Sequence, residues 1–266
     1  MRQSDLDVGK KRLERVGHGV FEQPVGLHSI VKLIRNWKFW VFMVLDIFFW
    51  NAANNTNAGG YLLWLKSLKR YSTARLNELS AISPGMGIFY TLAICFASDL
   101  FLGPAWAITV SHLWNIIGLV ILVVWKVPES ALWFAFALTY FANAMSSVLY
   151  GWVNSELRYS PSERALALVI LNTVSQSTTA WTPLLVFKTV EGPRFTKGYS
   201  FTLACAICLI IFSHVIWHAI RWDERRTSRK STASGDVEWS SQVPADINSD
   251  SDDHVSSRVE YPVKKT

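Results

Sequence analysis

The sequence of 266 residues is 50% hydrophobic, contains 13 Trp and carries a formal net charge of +6. Long apolar runs account for this composition, and a bilayer-spanning helix needs about 20 mainly apolar residues, so the composition excludes a soluble globular protein. The basic residues gather near the ends of the apolar runs, where they orient membrane helices, and the charge therefore predicts no nucleic-acid partner.

The pattern predicts an all-α integral membrane protein, a bundle of six transmembrane helices in the lipid bilayer. The predicted spans are about 37–58, 79–98, 105–125, 131–153, 165–187 and 201–220. The first span starts apolar and becomes polar at Asn51–Asn57. We divide the chain into a basic cytoplasmic arm (1–36), the transmembrane domain (37–221) and a tail (222–266). The tail is rich in Ser and Asp and lacks apolar surface to bury, which predicts disorder.

The basic residues predict that both termini are cytoplasmic. With the N-terminus inside, the inner segments 1–36, 99–104, 154–164 and 221–230 hold 14 Lys and Arg, and the outer loops 66–78, 126–130 and 188–200 hold 8. An excess of Lys and Arg marks the cytoplasmic side of a membrane protein. We therefore expect an even number of spans.

Polar side chains form a stripe in each of three predicted spans. The members are Asp46, Trp50, Asn54 and Asn57 in the first span, Asn143, Ser146, Ser147, Tyr150 and Asn154 in the fourth, and Asn172, Ser175, Gln176 and Thr179 in the fifth. Within each set the spacings of three and four residues place the side chains on one helix face. Polar groups in a membrane face a partner or a water-filled cavity. Three facing stripes predict a hydrophilic cavity, and hydrogen bonding between helices is the alternative.

Asp46 is the candidate proton-coupling group, because it is the only acidic residue well inside a predicted span and such residues mark ion and proton pathways. Amide, hydroxyl and aromatic groups of the stripes are candidate substrate contacts, with Trp181 at the outer end of the cavity. These candidates are Asn54, Asn143, Ser147, Tyr150, Asn172, Gln176 and Trp181. No catalytic pattern or phosphate-binding Gly-rich loop is visible, so we predict no enzyme, no cofactor and no metal site.

Several stretches resemble one known family. Looser stretches are residues 63–68 (LWLKSL), 97–99 (ASD) and 114–118 (WNIIG), and denser ones are 144–154 (AMSSVLYGWVN), 162–165 (SERA), 176–185 (QSTTAWTPLL) and 190–199 (VEGPRFTKGY). Together they resemble the fungal pantothenate and vitamin permeases, in the allantoate-permease (anion:cation symporter) branch of the major facilitator superfamily. The resemblance covers about residues 5–225.

The resemblance implies that these six helices correspond to the C-terminal half, spans seven to twelve, of a twelve-helix transporter in the plasma membrane. It implies transport of a small carboxylate or vitamin, with pantothenate the leading substrate, together with protons. The family's gating loop corresponds to the segment with Asp99 and Gly103, and Pro104 stands where the superfamily prefers Arg. A twelve-helix transporter needs two halves, so we expect a second six-helix half or a homodimer. The rival hypothesis is a truncated, non-transporting membrane protein or subunit that binds a partner half.

Overall fold

The computed structural model describes residues 27–57, 59–157 and 161–242 and the isolated positions 9 and 11. Most of the predicted basic arm and residues 243–266 of the predicted tail lie outside the described residues, and so do the side chains of Asn57 and of residues 230–242. Within the described ranges the chain is almost entirely helical and has no strand.

Nine labelled helices succeed one another in the described part of the chain. They are α1 (Leu27–Arg35), α2 (Trp37–Ala52), α3 (Gly60–Ser67), α4 (Thr73–Ala97), α5 (Pro104–Val124), α6 (Glu129–Thr139), α7 (Ser146–Glu156), α8 (Pro161–Val186) and α9 (Thr196–Gln242). Shorter segments link them: a helical turn at Asn54–Asn57, a π-helical turn at Ser98–Leu102, and 3₁₀ segments at Tyr140–Met145 and Thr189–Glu191.

Four stretches are long and apolar enough to cross a membrane, which is the pattern of an all-α membrane protein. They are Thr73–Leu102, Pro104–Val124, Glu129–Glu156 and Thr196–Arg229, and they correspond to the second, third, fourth and sixth predicted spans. The fourth is built from α6, the 3₁₀ segment and α7. The last helix continues to Gln242, well into the region where composition predicts disorder.

The first and fifth predicted spans depart from this pattern for different reasons. The predicted span over 37–58 is not one continuous helix, because α2 ends after 16 residues at Ala52. Its polar end, Asn51–Asn57, is rich in Asn, whose side chain competes with helical backbone hydrogen bonds. α8 is one helix of 26 residues, but the polar residues along it lower its hydropathy.

Side chains satisfy the carbonyl groups that the end of α2 leaves free. The Asn115 amide Nδ2 donates to the Ala52 carbonyl at 3.1 Å, and the Thr56 hydroxyl donates to the Ala53 carbonyl at 2.6 Å. The last carbonyls of a helix have no partner within the helix, and a free carbonyl is costly where water is absent. The break is therefore a stabilised feature of the bundle interior.

The chain has two compact units, residues 1–218 and 219–266. In the first, α2 packs on α8, α5 packs on α6, and α4 packs on the 3₁₀ segment Tyr140–Met145. α9 joins this bundle through the Thr109 hydroxyl, which hydrogen-bonds to His214 Nε2 at 2.8 Å. In the described part of the second unit, the Arg226 guanidinium lies 5.4 Å from the centre of the Trp222 ring.

The crossing of α5 and α6 depends on Gly118. A Cβ at this position would lie 2.8 Å from the Ala135 carbonyl oxygen and 3.2 Å from the Thr139 methyl group. Small residues of this kind let membrane helices approach closely. The backbone of α6 therefore occupies the space that any side chain at Gly118 would need.

We expect Gly118→Ala to destabilise the protein by about 1–3 kcal/mol, the usual cost of overpacking, although Ala favours helix more than Gly does. Thermal unfolding in detergent would measure the loss. Gly87→Ala is the matched control, because a Cβ at Gly87 meets nothing within 4 Å. Equal melting temperatures for the two variants would contradict the role assigned to Gly118.

Candidate functional site

The candidate site begins with Asp46, which α2 places at 0% exposure inside the bundle. The Tyr150 hydroxyl of α7 donates to Asp46 Oδ2 at 3.3 Å, and the indole Nε1 of Trp50 donates to the Tyr150 oxygen at 3.1 Å. Trp50 lies one helical turn after Asp46, so α2 supplies both ends of this chain of hydrogen bonds. The structure thus brings together members of the first and fourth predicted stripes.

α8 supplies further polar side chains at its interface with α2. Ser175 is fully buried on this helix, and its hydroxyl group and Asp46 Oδ1 have no hydrogen-bond partner among the described residues. One turn further, the Asn51 amide donates to the Thr178 hydroxyl at 2.8 Å and to the Ile47 carbonyl at 2.9 Å. Both α2 and α8 therefore carry polar groups into their shared interface.

The face that α8 turns to α2 differs from the predicted stripe. Thr178 lies on the same face as the buried residues of α8 from its middle onward. The buried residues of the whole helix are Glu163, Ala167, Leu171, Ser175 and Thr182. Asn172 is exposed and Gln176 is half-buried. Sequence reasoning missed Asn51 and Thr178, and the spacing of Leu171 with the three hydroxyl residues is the signal that could have found them.

A second polar group lies at the break after α2. The Asn143 amide Nδ2 donates to the Thr56 hydroxyl at 3.0 Å, and this contact ties the 3₁₀ segment in the fourth predicted span to the helical turn at Asn54–Asn57. Asn54 is fully buried, and neither polar atom of its amide has a partner among the described residues. Such atoms can bind water or a polar solute, since an unpaired buried polar group is otherwise costly.

Histidine adds to the unpaired groups near the break. His112 of α5 is fully buried, neither ring nitrogen has a partner in the described part of the chain, and its ring centre lies 6.1 Å from that of Phe49. Asn115, one turn later, leaves its Oδ1 unpaired while its Nδ2 binds the end of α2. The interior of the bundle thus holds several hydrogen-bonding atoms with unused capacity.

Ser147 lies elsewhere, in a cavity of about 450 Å³ between the end of α4, the start of α5 and α7. Ser98, Asp99 and Pro104 line this cavity with it. The predicted substrate contact Ser147 and the predicted gating loop therefore line the same cavity, and Asp46 is not among its lining residues. Trp181, the remaining candidate, is 53% exposed near the end of α8.

The predicted gating loop has a defined backbone conformation. Gly103 has a φ of 73°, in the left-handed region that favours glycine, and its N–H donates to the Ser98 carbonyl at 2.9 Å. Pro104 is the first residue of α5, a position that suits its fixed φ and its missing N–H. Pro104 thus favours the start of α5.

The contact between α2 and α8 can be measured by a double-mutant cycle. We expect Asn51→Ala and Thr178→Val to show a coupling energy of about 0.6 kcal/mol, the average for hydrogen bonds between membrane helices. Unfolding in mixed micelles would report it. The control pair is Asn51→Ala with Ser177→Ala, because Ser177 is exposed and bonds within its own helix. Equal coupling in both cycles would contradict the contact.

Comparison with curated proteins finds two similar fungal transporters. The chain is 35% identical over 188 residues to the vitamin H transporter of Saccharomyces cerevisiae, covering 71% of this chain and 32% of that protein. It is 25% identical over 181 residues to a pantothenate transporter of Schizosaccharomyces pombe, covering 66% of this chain and 35% of that protein. The chain thus spans about a third of the length of the curated relatives it matches.

No family model and no solved structure matches the chain. Both relatives are named as transporters and neither as an enzyme. The resemblance to the fungal vitamin permeases is therefore confirmed, while the allantoate-permease branch stays a prediction. This chain is a homologue of the fungal vitamin transporters over about two thirds of its length or more.

Proposed function

We propose that this chain takes part in moving a small carboxylate-bearing vitamin, of the kind represented by vitamin H and pantothenate, across a membrane. The observation that carries the proposal is the polar cluster of Asp46, Tyr150 and Trp50 inside an apolar bundle, with Asp46 fully buried and the other two half-buried. Polar residues in such positions mark substrate and ion pathways. The homology to vitamin transporters supports the same function.

The proposal includes six spans, with α2 and α8 as the first and fifth and both termini in the cytoplasm. α2 covers about 24 Å at 1.5 Å per residue, somewhat less than a hydrocarbon core of about 30 Å, and the turn at Asn54–Asn57 extends it. Its interior contacts with α8 support placing both helices at the same depth. The plasma membrane is the proposed location.

The exposed polar residues of α8 support the proposal that a second six-helix half or a second copy of this chain packs beside it. Asn172, Thr173 and Ser177 are exposed on this helix, although polar side chains within a bilayer avoid lipid. We propose that they face a water-filled path shared with a second six-helix half or with a second copy of this chain. Gln176, half-buried beside them, is then placed to contact substrate from the same side.

A carboxylate-bearing solute needs hydrogen-bond donors along its path. The amides of Asn54, Asn172 and Gln176 and the hydroxyl group of Ser147 can supply them. The Tyr150 hydroxyl donates to Asp46, so it can donate to the solute only when that bond breaks. Asn143 uses Nδ2 to bind Thr56 and retains an unpaired Oδ1, so it offers an acceptor to the solute. These residues, with Trp181 at the outer end, remain the proposed substrate contacts.

The second candidate function is a non-transporting membrane subunit. The hydrogen bonds from Asn51 to Thr178 and from Asn143 to Thr56 favour it, because such bonds also hold together bundles that carry no solute. Under this hypothesis the polar groups stabilise helix packing, and the exposed face of α8 binds a partner half.

Uptake distinguishes the two candidates. We expect yeast cells that lack their own vitamin H and pantothenate uptake to accumulate at least one of the two labelled vitamins when they produce this chain together with a matching six-helix half. Cells producing either half alone are the controls, and the chain's presence in the membrane is checked by immunoblot. Membrane insertion of both halves with no uptake of either vitamin would favour the non-transporting subunit.

Asp46→Asn tests proton coupling in the form of the protein that takes up vitamin. We expect this variant to lose pH-driven accumulation but to keep substrate exchange, because Asn can still accept the Tyr150 hydrogen bond but carries no exchangeable charge. Uptake at several external pH values would measure the loss. Glu78→Gln is the control, since Glu78 is an exposed acid that pairs only with Arg75 among the described residues. Accumulation with unchanged pH dependence in Asp46→Asn would assign coupling to another group.

A further inference from the structure

We propose that α1 is a membrane-surface helix, with one edge in the lipid and the other among anionic lipid headgroups, at the boundary where α2 enters the bilayer. α1 precedes the first span of the proposed arrangement, and the inference therefore rests on the proposed function's six-span topology. The chemistry of the proposed ligand is that of an anionic phospholipid surface. Three properties of the helix carry the inference.

The first property is the division of α1 into three faces. Leu33 is 0% exposed, while Val31 and Ile34 are 54% and 48% exposed. At about 100° per residue, Val31 and Ile34 form one exposed edge, and His28, Lys32 and Arg35 form the neighbouring edge. An apolar edge beside a basic edge is typical of helices that lie in the interface of a bilayer.

The second property is that the bundle fixes the rotation of α1. Lys32 Nζ lies 2.5 Å from Glu163 Oε1 on α8, and the Glu163 side chain is 8% exposed. The Trp40 indole on α2 donates to the Ile34 carbonyl at 2.8 Å, at the last turn of α1. With Leu33 buried as well, α1 cannot turn its apolar edge inward without breaking these contacts. Val31 and Ile34 are therefore held outward.

The third property is the depth at which α1 lies. Trp37 and Trp40 begin α2 and are 43% and 52% exposed, and exposed Trp at a span end lies at the level of the lipid headgroups. Because the Trp40 indole binds the end of α1, the two helices share this level. Val31 and Ile34 then meet the boundary between headgroups and acyl chains.

Charge selects an anionic surface over a neutral one. Lys32 and Lys38 are paired with Glu163 and Glu156, whereas Arg35 is exposed and has no ion-pair partner among the described residues. A Lys or Arg beside an anionic membrane surface is attracted to it. Arg35 is therefore the residue of α1 that would bind a lipid phosphate.

Site-directed spin labels on the full chain, reconstituted in mixed phosphatidylcholine–phosphatidylglycerol vesicles, test the inference. Single cysteines replace Val31, Ile34 or Arg35 after Cys95, Cys205 and Cys208 are changed to Ala. We expect oxygen, which concentrates in lipid, to reach the labels at 31 and 34 better than a water-soluble nickel complex does. The label at 35 should show the reverse. Labels at 31 and 34 reached mainly by nickel, or by neither reagent because protein covers them, would overturn the inference.

Two reference labels separate this inference from the proposed topology. Val44→Cys places a label on the exposed side of α2, and Lys126→Cys places one in the loop between α5 and α6. A lipid-exposed label at 44 with water-exposed labels at 31 and 34 would defeat only the inference about α1. A water-exposed label at 44 would defeat the six-span arrangement, and the inference with it.

Arg35→Gln tests the preference for anionic lipid. In the protein labelled at residue 31, we expect this change to lower the ratio of oxygen to nickel accessibility in the mixed vesicles, because α1 loses one attraction to the anionic surface. In pure phosphatidylcholine the change should have no effect. The same loss in both lipids, or in neither, would show that Arg35 does not bind anionic headgroups.

Discussion

The buried Asp46 requires polar partners from the surrounding helices, because a carboxyl group removed from water is costly unless other polar groups contact it. Tyr150 from α7 donates to one carboxyl oxygen, and Trp50 from α2 holds Tyr150 in place, while the other carboxyl oxygen has no partner among the described residues. α2 and α7 are thereby joined by hydrogen bonds around one buried group, and α8 is joined to α2 by the nearby bond from Asn51 to Thr178.

The backbone at the end of α2 also requires hydrogen-bond partners. A helix that stops inside a bundle presents carbonyl groups without partners, and here Asn115 and Thr56 provide donors. These donors come from α5 and from the turn just after the break. α5 therefore contacts the bundle at this break. Nearby, Asn54 and His112 have hydrogen-bonding atoms without a partner among the described residues.

Hydropathy and helical spacing predict the helices, four of the spans and the meeting of Asp46 with Tyr150, because these depend on the period of the helix and on apolar length. The polar segment Asn51–Asn57 indicates where the first span weakens, but spacing cannot predict that Asn115, 63 positions away in sequence, bonds the end of α2. The buried face of α8 is the other difference. Asn172 and Thr178 are both polar, and only the position of α2 decides which of them lies in the interface.

The π-helical turn at Ser98–Leu102 has a consequence for the way sequences of this kind are aligned. Its i-to-i+5 hydrogen bond, closed by Gly103, holds one residue more than an α-helical turn. Each inserted residue rotates the next part of the chain by about 100°, and here Leu100 and Phe101 are both 75% exposed. A homologue that is one residue shorter at this turn would keep the helices on either side intact while presenting different side chains to lipid. A one-residue gap at this turn in an alignment would therefore indicate a different rotation of the neighbouring helix.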